Sequence, residues 1–585
     1  MTGNPSPTPI KPPEKFSPSK LLAKIGKGAV LTDPEEIKKL VTNHQIWRSV
    51  FRGGIWKNTP RDRALHIMGN VWLHLHPVRV RLRSLRFAYS WGLGGLSFWL
   101  FLLLSISGIL LMFYYRPTAD LAYRDMKDLE FVVSFGWLWR NIHRWCAHAM
   151  VLVVILHMVR VFLTGAYKPP REFNWVIGVT LLTLTLFLSF TGYLLPWDQL
   201  ALWAVTVGTN MAGAAPFLGN EGPFGDLLGM KINNDIRFGL LGGTVVGEAT
   251  LIRFYVLHCV FVPVVMGAIT MLHFWRIRKD TFSAAPYSPN EEKLETWPHL
   301  VAREYVAAAL ATVAILVWAL LINAPLEEAA NPTVTPNPSK APWYFLGLQE
   351  LLVYFDPWIA GVLIPNVIIA GLCAIPYIDP NPKGVGYYSF KERPFANTMF
   401  LFGVAMWFIL IAVGVWMRGP SWSWYWPWEN WAVHKPPPPP TWDVPNWIGG
   451  SLIAAYFTAG IILPRLIKKN LNWKITLPGT LFLCAGLGLG LKIIHALLLD
   501  KSAFLAKNIP IFGPGSFILI VFLLFTFAFF GVLMPQRYIR SLAIGRYAGT
   551  MILVLLTMSI LIKIGCRTGL NIKYVFSLPQ FNFNI

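Results

Sequence analysis

The sequence predicts an all-α integral membrane protein, built as a four-helix bundle, a three-helix segment after it and about four extra transmembrane helices. Three observations predict this. Apolar runs of the roughly 20 residues needed to cross a bilayer recur along the chain. Two of these runs carry histidines in pairs, 14 and 15 positions apart, and the runs beside them carry glycine pairs 14 apart. Charged residues make up 14% of the chain against 55% hydrophobic, too few to solvate a surface of this size. Inside lipid every backbone polar group must be satisfied internally, and run lengths of this kind suit helices rather than barrel strands.

The net charge of +22 could point to nucleic acid. The lysines and arginines, however, are spread through the N-terminal stretch and the loops between runs, which membrane topology explains more economically. No nucleic-acid partner is expected. The five cysteines (Cys146, Cys259, Cys373, Cys484, Cys566) are scattered, mostly within apolar runs, and form no CxxC or CxxCH. They read as small core residues rather than disulfides, a zinc site or a covalent haem attachment.

Residues 1–90 begin polar and proline-bearing (NPSPTPIKPPEKFSPSK) and lack the apolar core of a secretion signal. They are expected to form a cytoplasmic tail. Within it, residues 62–86 mix apolar and basic positions and read as an interfacial helix; its His66, His74 and His76 are given surface roles. Spans are expected at 93–115, 139–163, 174–195, 250–275, 302–323, 357–377, 395–417, 447–466, 475–499, 514–534 and 547–565. Alternate loops concentrate Lys and Arg, so these loops and the N-terminus are expected on the cytoplasmic side. The long loops 196–249 and 324–356, and the Trp-rich stretch 420–446 with its five consecutive prolines, fall on the outer side. The resulting domains are 1–90, a four-helix segment 91–300, a three-helix segment 301–420, and a membrane extension 421–585.

The chemistry concentrates on the second and fourth spans. His143 and His157 lie 14 apart, which on an α-helix is about 40° short of four full turns, so both face nearly one side near opposite ends of the span. His258 and His273 repeat the arrangement at 15, about 60° past four turns. Two such helices can hold two stacked haems by bis-histidine ligation. A lone intramembrane histidine is usually only a hydrogen-bonded core residue, but four in matched pairs are not explained that way. His148 sits about 140° round from His143 and faces elsewhere, and His495 stands alone in a late span; both read as structural. Gly94 and Gly108 in the first span, and Gly178 and Gly192 in the third, share the 14-residue spacing. Lacking Cβ, they permit the close approach that a flat macrocycle between four helices demands. Arg140, Arg144, Arg160 and Arg253 lie close to the paired histidines, with Arg276 after the last of them, and are candidates for haem propionates, although helix-end snorkelling would also use arginine.

These pieces, NIHRWCAHAMVLVVILHMVRVFLTGAYKPPREFNW, TGYLLPWDQLALWAVTVGTN, GEATLIRFYVLHCV and KAPWYFLGLQELL, resemble cytochrome b of the Rieske/cytochrome b complexes, the quinol:cytochrome c or plastocyanin oxidoreductases. The resemblance covers about residues 90–420, with the family's two halves fused in one chain. It implies that His143 and His258 ligate the outer, low-potential haem, and that His157 and His273 ligate the inner, high-potential one. It implies that Pro342, Trp343 and Tyr344 belong to the quinol-oxidation pocket beside a Rieske iron–sulfur protein. It also implies a c-type cytochrome subunit or carrier, a homodimeric complex, and surrounding membrane lipid.

Three departures stand out. The family's P-E-W-Y glutamate is Pro342 here, so Glu350, at the start of the next apolar segment, is the candidate proton acceptor. Gly92 stands where the photosynthetic branch places a haem-bearing Cys, so no covalent haem c is expected. Residues from about 421 exceed the family core and suggest contacts with partner subunits. The expected function is quinol oxidation by a Q cycle, with two non-covalent haem b groups, in a prokaryotic cytoplasmic membrane. Moving an electron inward against about 150 mV costs roughly 3.5 kcal/mol, so the inner haem should hold the higher potential. The competing classes are a di-haem anchor for another quinone-linked dehydrogenase and a haem-free transporter. The latter would need polar residues near the midplane, whereas these histidines lie toward the span ends.

Overall fold

The computed structural model describes residues 34–50, 77, 79–285, 291–467, 471–501, 514–578 and 581–585. Among them, eleven helices are long and apolar enough to cross a membrane. They are α1 Leu93–Met112, α2 Gly136–Leu163, α3 Glu172–Leu194, α4 Glu248–Asp280, α5 His299–Leu321, α6 Trp358–Ile378, α7 Pro394–Met417, α8 Asn446–Leu466, α9 Trp473–Leu497, α10 Ser516–Tyr538 and α11 Ile544–Gly569. Number and order agree with the expected spans, and bounds differ by a few residues.

Four of these helices open into a π-helical turn; in α7 it forms the last residues, Val413–Met417. The other three turns cover Leu257–Phe261 in α4, Trp358–Leu363 in α6 and Phe527–Leu533 in α10. Each is followed by a proline (Pro263, Pro365, Pro535) that has no N–H to donate and whose ring crowds the carbonyl four residues back. The helix relieves that conflict by widening just before the proline. In α4 the widened turn starts beside an expected ligand, His258.

α1 packs on α2, and α3 on α4, closing the bundle. α5 lies against α2, pinned by Asn141, whose Nδ2 donates to the Ala319 carbonyl at 2.9 Å and whose Oδ1 accepts from Ala324 N–H at 2.8 Å. The extension shares its core with the preceding segment. Tyr547, Met551, Leu555 and Met558 of α11 pack against α8, α10 and Phe395 of α7. It also meets α6, where Gly371 lies against Leu553.

The N-terminal segment differs from expectation. Residues 62–76 and 78, with His66, His74 and His76, lie outside the described residues. Of the expected interfacial helix, the described part begins as strand β1 (Arg79–Arg81), antiparallel to β2 (Lys293–Glu295), and continues as a short 3-10 turn. The reason is visible in VRVRLR: apolar and basic residues alternate with period two, a strand pattern, and Val80 is buried. Upstream, the helix Gln45–Val50 docks under the bundle. The Ser49 carbonyl accepts from Arg276 at 2.8 Å, and Arg546 of the extension donates to Gln45. These contacts place the segment at the same end as the basic loops.

Candidate functional site

α2 and α4 bring the four histidines into one bundle. His143 and His258 face each other with ring centroids 6.1 Å apart. Two imidazoles sharing one metal at about 2 Å from each nitrogen stand on the order of 6 Å apart by centroid. Hydrogen bonds fix which nitrogen of each ring carries the proton. His258 Nδ1 lies 3.1 Å from the Leu188 carbonyl, which can only accept, so Nδ1 carries the proton and Nε2 keeps its lone pair. Ser107 Oγ donates to the Leu103 carbonyl at 2.7 Å and lies 2.9 Å from His143 Nδ1. With its own proton committed, that hydroxyl accepts from Nδ1–H, and Nε2 is again left to bind. Partners of this kind orient metal-ligating histidines.

The glycines meet the histidine rings. A Cβ on Gly108 would lie 3.1 Å from His143 Cε1, and one on Gly192 would run into His258 Cε1. At the other end, Gly94 would meet His157 Cε1 at 3.1 Å and Gly178 would meet His273 Cε1 at 3.8 Å. Two histidines and two glycines thus converge at each level. His157 Nδ1 is buried with no hydrogen-bond partner among the described residues. Ser107 and Thr191, the latter 3.2 Å from His258 Nδ1, were not among the expected site residues. Each sits immediately before a paired glycine, and that repeated hydroxyl–glycine step is the sequence signal that points to them.

Among the arginines, Arg140 Nη1, Arg144 Nε and Arg160 Nε are buried without a hydrogen-bond partner among the described residues. Arg140 also donates to the Pro325 carbonyl at 2.8 Å, while Arg144 lies over the Tyr193 ring and Arg160 over Tyr89. Arg253 is exposed and turned outward to the Gly239 carbonyl.

Pro342 precedes the short helix Trp343–Leu351, wedged between α2 and α7. Gln349 clips its entry, accepting from Ala341 N–H at 2.9 Å and donating to the Ser339 carbonyl at 2.8 Å. Trp343 Nε1 donates to His148 Nδ1 at 2.9 Å, so the histidine facing away from the ligand side tethers this helix to α2. Tyr344 is buried, and burial pushes its phenol up to about 12; it is a hydrogen-bond donor at neutral pH. Glu350 is fully buried and saturated. Its Oε1 accepts from Arg418 Nη2 at 2.5 Å and Tyr354 OH at 2.6 Å; its Oε2 accepts from Arg418 Nε at 2.9 Å and Trp422 Nε1 at 3.1 Å. Burial works against the charge of Arg418, but the bonds and field of Glu350 outweigh it and hold the guanidinium above its usual range. Arg418 and Trp422 were not anticipated, because 68 and 72 residues separate them from Glu350; Tyr354, also missed, lies only four residues on.

At the opposite end, Lys168 Nζ pairs with Asp379 Oδ2 at 2.8 Å, and Tyr167 OH donates to the same oxygen at 2.6 Å. Buried Arg393 donates to Tyr167 OH at 2.7 Å and to the Phe162 carbonyl at 2.9 Å. This cluster ties the α2–α3 loop to the α6–α7 loop.

A four-helix membrane bundle with two levels of paired histidines defines a b-type cytochrome of electron transport. The cytochrome b/b6/petB family model matches residues 80–281, and the cytochrome b(C-terminal)/b6/petD model matches 329–427. The chain belongs to the cytochrome b/b6 family. It is 44% identical to cytochrome b6 of Gracilaria tenuistipitata var. liui over 191 residues, 33% of this chain and 82% of the relative. It is 43% identical to cytochrome b6 of Synechococcus sp. (strain CC9605) over 192 residues, 33% of this chain and 81% of the relative. Its fold is similar to that of a chain of a hyperthermophilic respiratory Complex III, with TM-score 0.50 and 23% identity, over 61% of this chain and 89% of that one. The family match ends at residue 427, so α8–α11 lie beyond it.

Proposed function

We propose that this chain is the di-haem subunit of a quinol-oxidising Rieske/cytochrome b complex and works by a Q cycle. The observation that carries the reading is the convergence of two histidines and two glycines at each of two levels of one bundle, with the outer histidines oriented to present Nε2. Bound there, two non-covalent haem b groups would supply one-electron carriers at two depths of the membrane. The chain's residues do the rest. His143 and His258 would hold the outer iron, and His157 and His273 the inner. Gly94, Gly108, Gly178 and Gly192 make room, while Arg140, Arg144 and Arg160 offer unused N–H groups to propionates. Arg253 would join them only by releasing Gly239.

The Trp343–Leu351 helix, with Pro342, Trp343 and Tyr344, forms the quinol-oxidation pocket beside the Rieske protein. A c-type cytochrome takes the exported electron in a homodimeric complex of a prokaryotic cytoplasmic membrane, with the N-terminus on the cytoplasmic side. Glu350 is the acceptor of a quinol proton by relay through Tyr354, whose hydroxyl passes its own proton to Oε1 as it takes up the one from the quinol, so that the phenol is restored and Glu350 becomes neutral. The test is steady-state quinol:cytochrome c turnover by the purified complex, with its haem and iron–sulfur content measured alongside. A haem-loaded complex lacking any iron–sulfur partner or quinol oxidation would favour the membrane-anchor class.

Two substitutions test the haem cradle. Gly192→Ala forces a Cβ into His258, and the outer haem should be lost while the inner one stays; Gly178→Ala, with ordinary contact distance, should be far milder. Ser107→Ala removes the partner orienting His143 and should weaken outer-haem retention by about 10–100-fold. Haem titration of the purified variants reads both.

A further inference from the structure

A cavity of about 1550 Å³ lies between the core helices α2, α3, α6 and α7 and the extension helices α8, α10 and α11. It is larger than the roughly 300–1,000 Å³ of ordinary ligand pockets. Both ends of α6, Trp358 and Ile378, line it, so it runs about 30 Å at 1.5 Å per residue, the depth of the hydrocarbon core. Tyr344 and Phe345 close one end, while Asp379 and Arg393 stand at the other. Between them the walls are almost entirely aliphatic and aromatic, with Tyr456 and Phe527 contributed by the extension.

We propose that α8, α10 and α11 wall a chamber for the polyprenyl chain of the quinol, whose ring lies at the Tyr344 end. The inference rests on the quinol reading above and deepens it by giving the extension a role. Length, apolarity and polar termini match an amphiphile with one small polar ring and a long hydrocarbon tail. A phospholipid acyl chain spans only half the membrane, whereas this space continues through both halves.

The test narrows the chamber from the extension side alone, with Ala459→Trp on α8 and Thr557→Trp on α11, both lining residues outside the family match. The intact complex in liposomes is assayed with a long-chain polyprenyl quinol and with a short-alkyl-chain quinol. The expected result is a fall of at least about tenfold in kcat/KM for the long-chain substrate, with the short-chain value held within about twofold. A diazirine-tagged polyprenyl quinone should label α8 and α11 in the wild-type complex, and excess untagged quinone should suppress it. Equal turnover by variant and wild type with both quinols overturns the proposal. So does a parallel fall with both, or labelling of α8 and α11 by a diazirine phospholipid that polyprenyl quinone does not displace. A wild-type complex that oxidises neither quinol sinks the quinol reading itself, a result distinct from all of these.

Discussion

His143→Ala should remove one of the two b haems and leave the other in place, and His258→Ala should remove the same one. His157→Ala and His273→Ala should both remove the second. The pairing follows from the geometry: His143 and His258 face each other with centroids 6.1 Å apart, and each carries its proton on Nδ1, which leaves Nε2 free to bind. Alanine would take away one of the two imidazoles that would hold a haem at that level, and the apolar bundle offers little in its place. Pyridine haemochrome counts should fall from two haems per chain to one, and turnover should cease in all four variants because each level is an obligatory carrier. Reduced-minus-oxidised spectra distinguish the two haems. If His143→Ala and His258→Ala removed different spectral components, the assignment of levels would be wrong.

The second large effect concerns the clamp at Glu350. Arg418→Met leaves a fully buried carboxylate without its cation, and Glu350→Met strands the guanidinium; either should cost about 3–5 kcal/mol. The double variant removes both charges together and should regain most of that loss, because well-packed apolar replacements of a buried pair are often neutral or better. Turnover separates the clamp from the proton acceptor. The double variant should remain at least about 10²-fold slower in quinol oxidation, the size of a lost general-base contribution, with both haems bound. Recovery of wild-type turnover along with stability would show that Glu350 only holds the loop. Thermal denaturation followed by haem absorbance reads the stability arm.

Much of the architecture was legible in the chain. The apolar runs place all eleven spans, because the bilayer sets a length that few other constraints can imitate. The paired histidines and glycines reveal the bundle and its two levels, because helical geometry turns a spacing into a direction. The alternation around Arg79–Arg81 was equally legible as a strand, but reading 62–86 as one interfacial helix passed over it.

The site's finer construction was not legible. His258 and His273 are one residue too far apart to match the other pair on a uniform α-helix. The π-helical turn at Leu257–Phe261 takes up the extra residue, and a single bulge of this kind restores the phase of 14. The sequence held the cause, Pro263, but only the folded helix shows the widening placed beside the ligand. Likewise, nothing local to Glu350 announces Arg418 and Trp422, which a different helix and loop bring to it. His148 pointed away from the ligands on helical phase alone, yet what it points toward, Trp343, comes from almost 200 residues downstream. By itself the sequence determined helix count, membrane habit and the two-level ligand pattern, because these depend on periodicity along one segment. The donors that saturate Glu350, the partners that set each histidine's tautomer and the chamber behind Tyr344 were decided by tertiary structure, because each is made by segments whose meeting only long-range packing specifies.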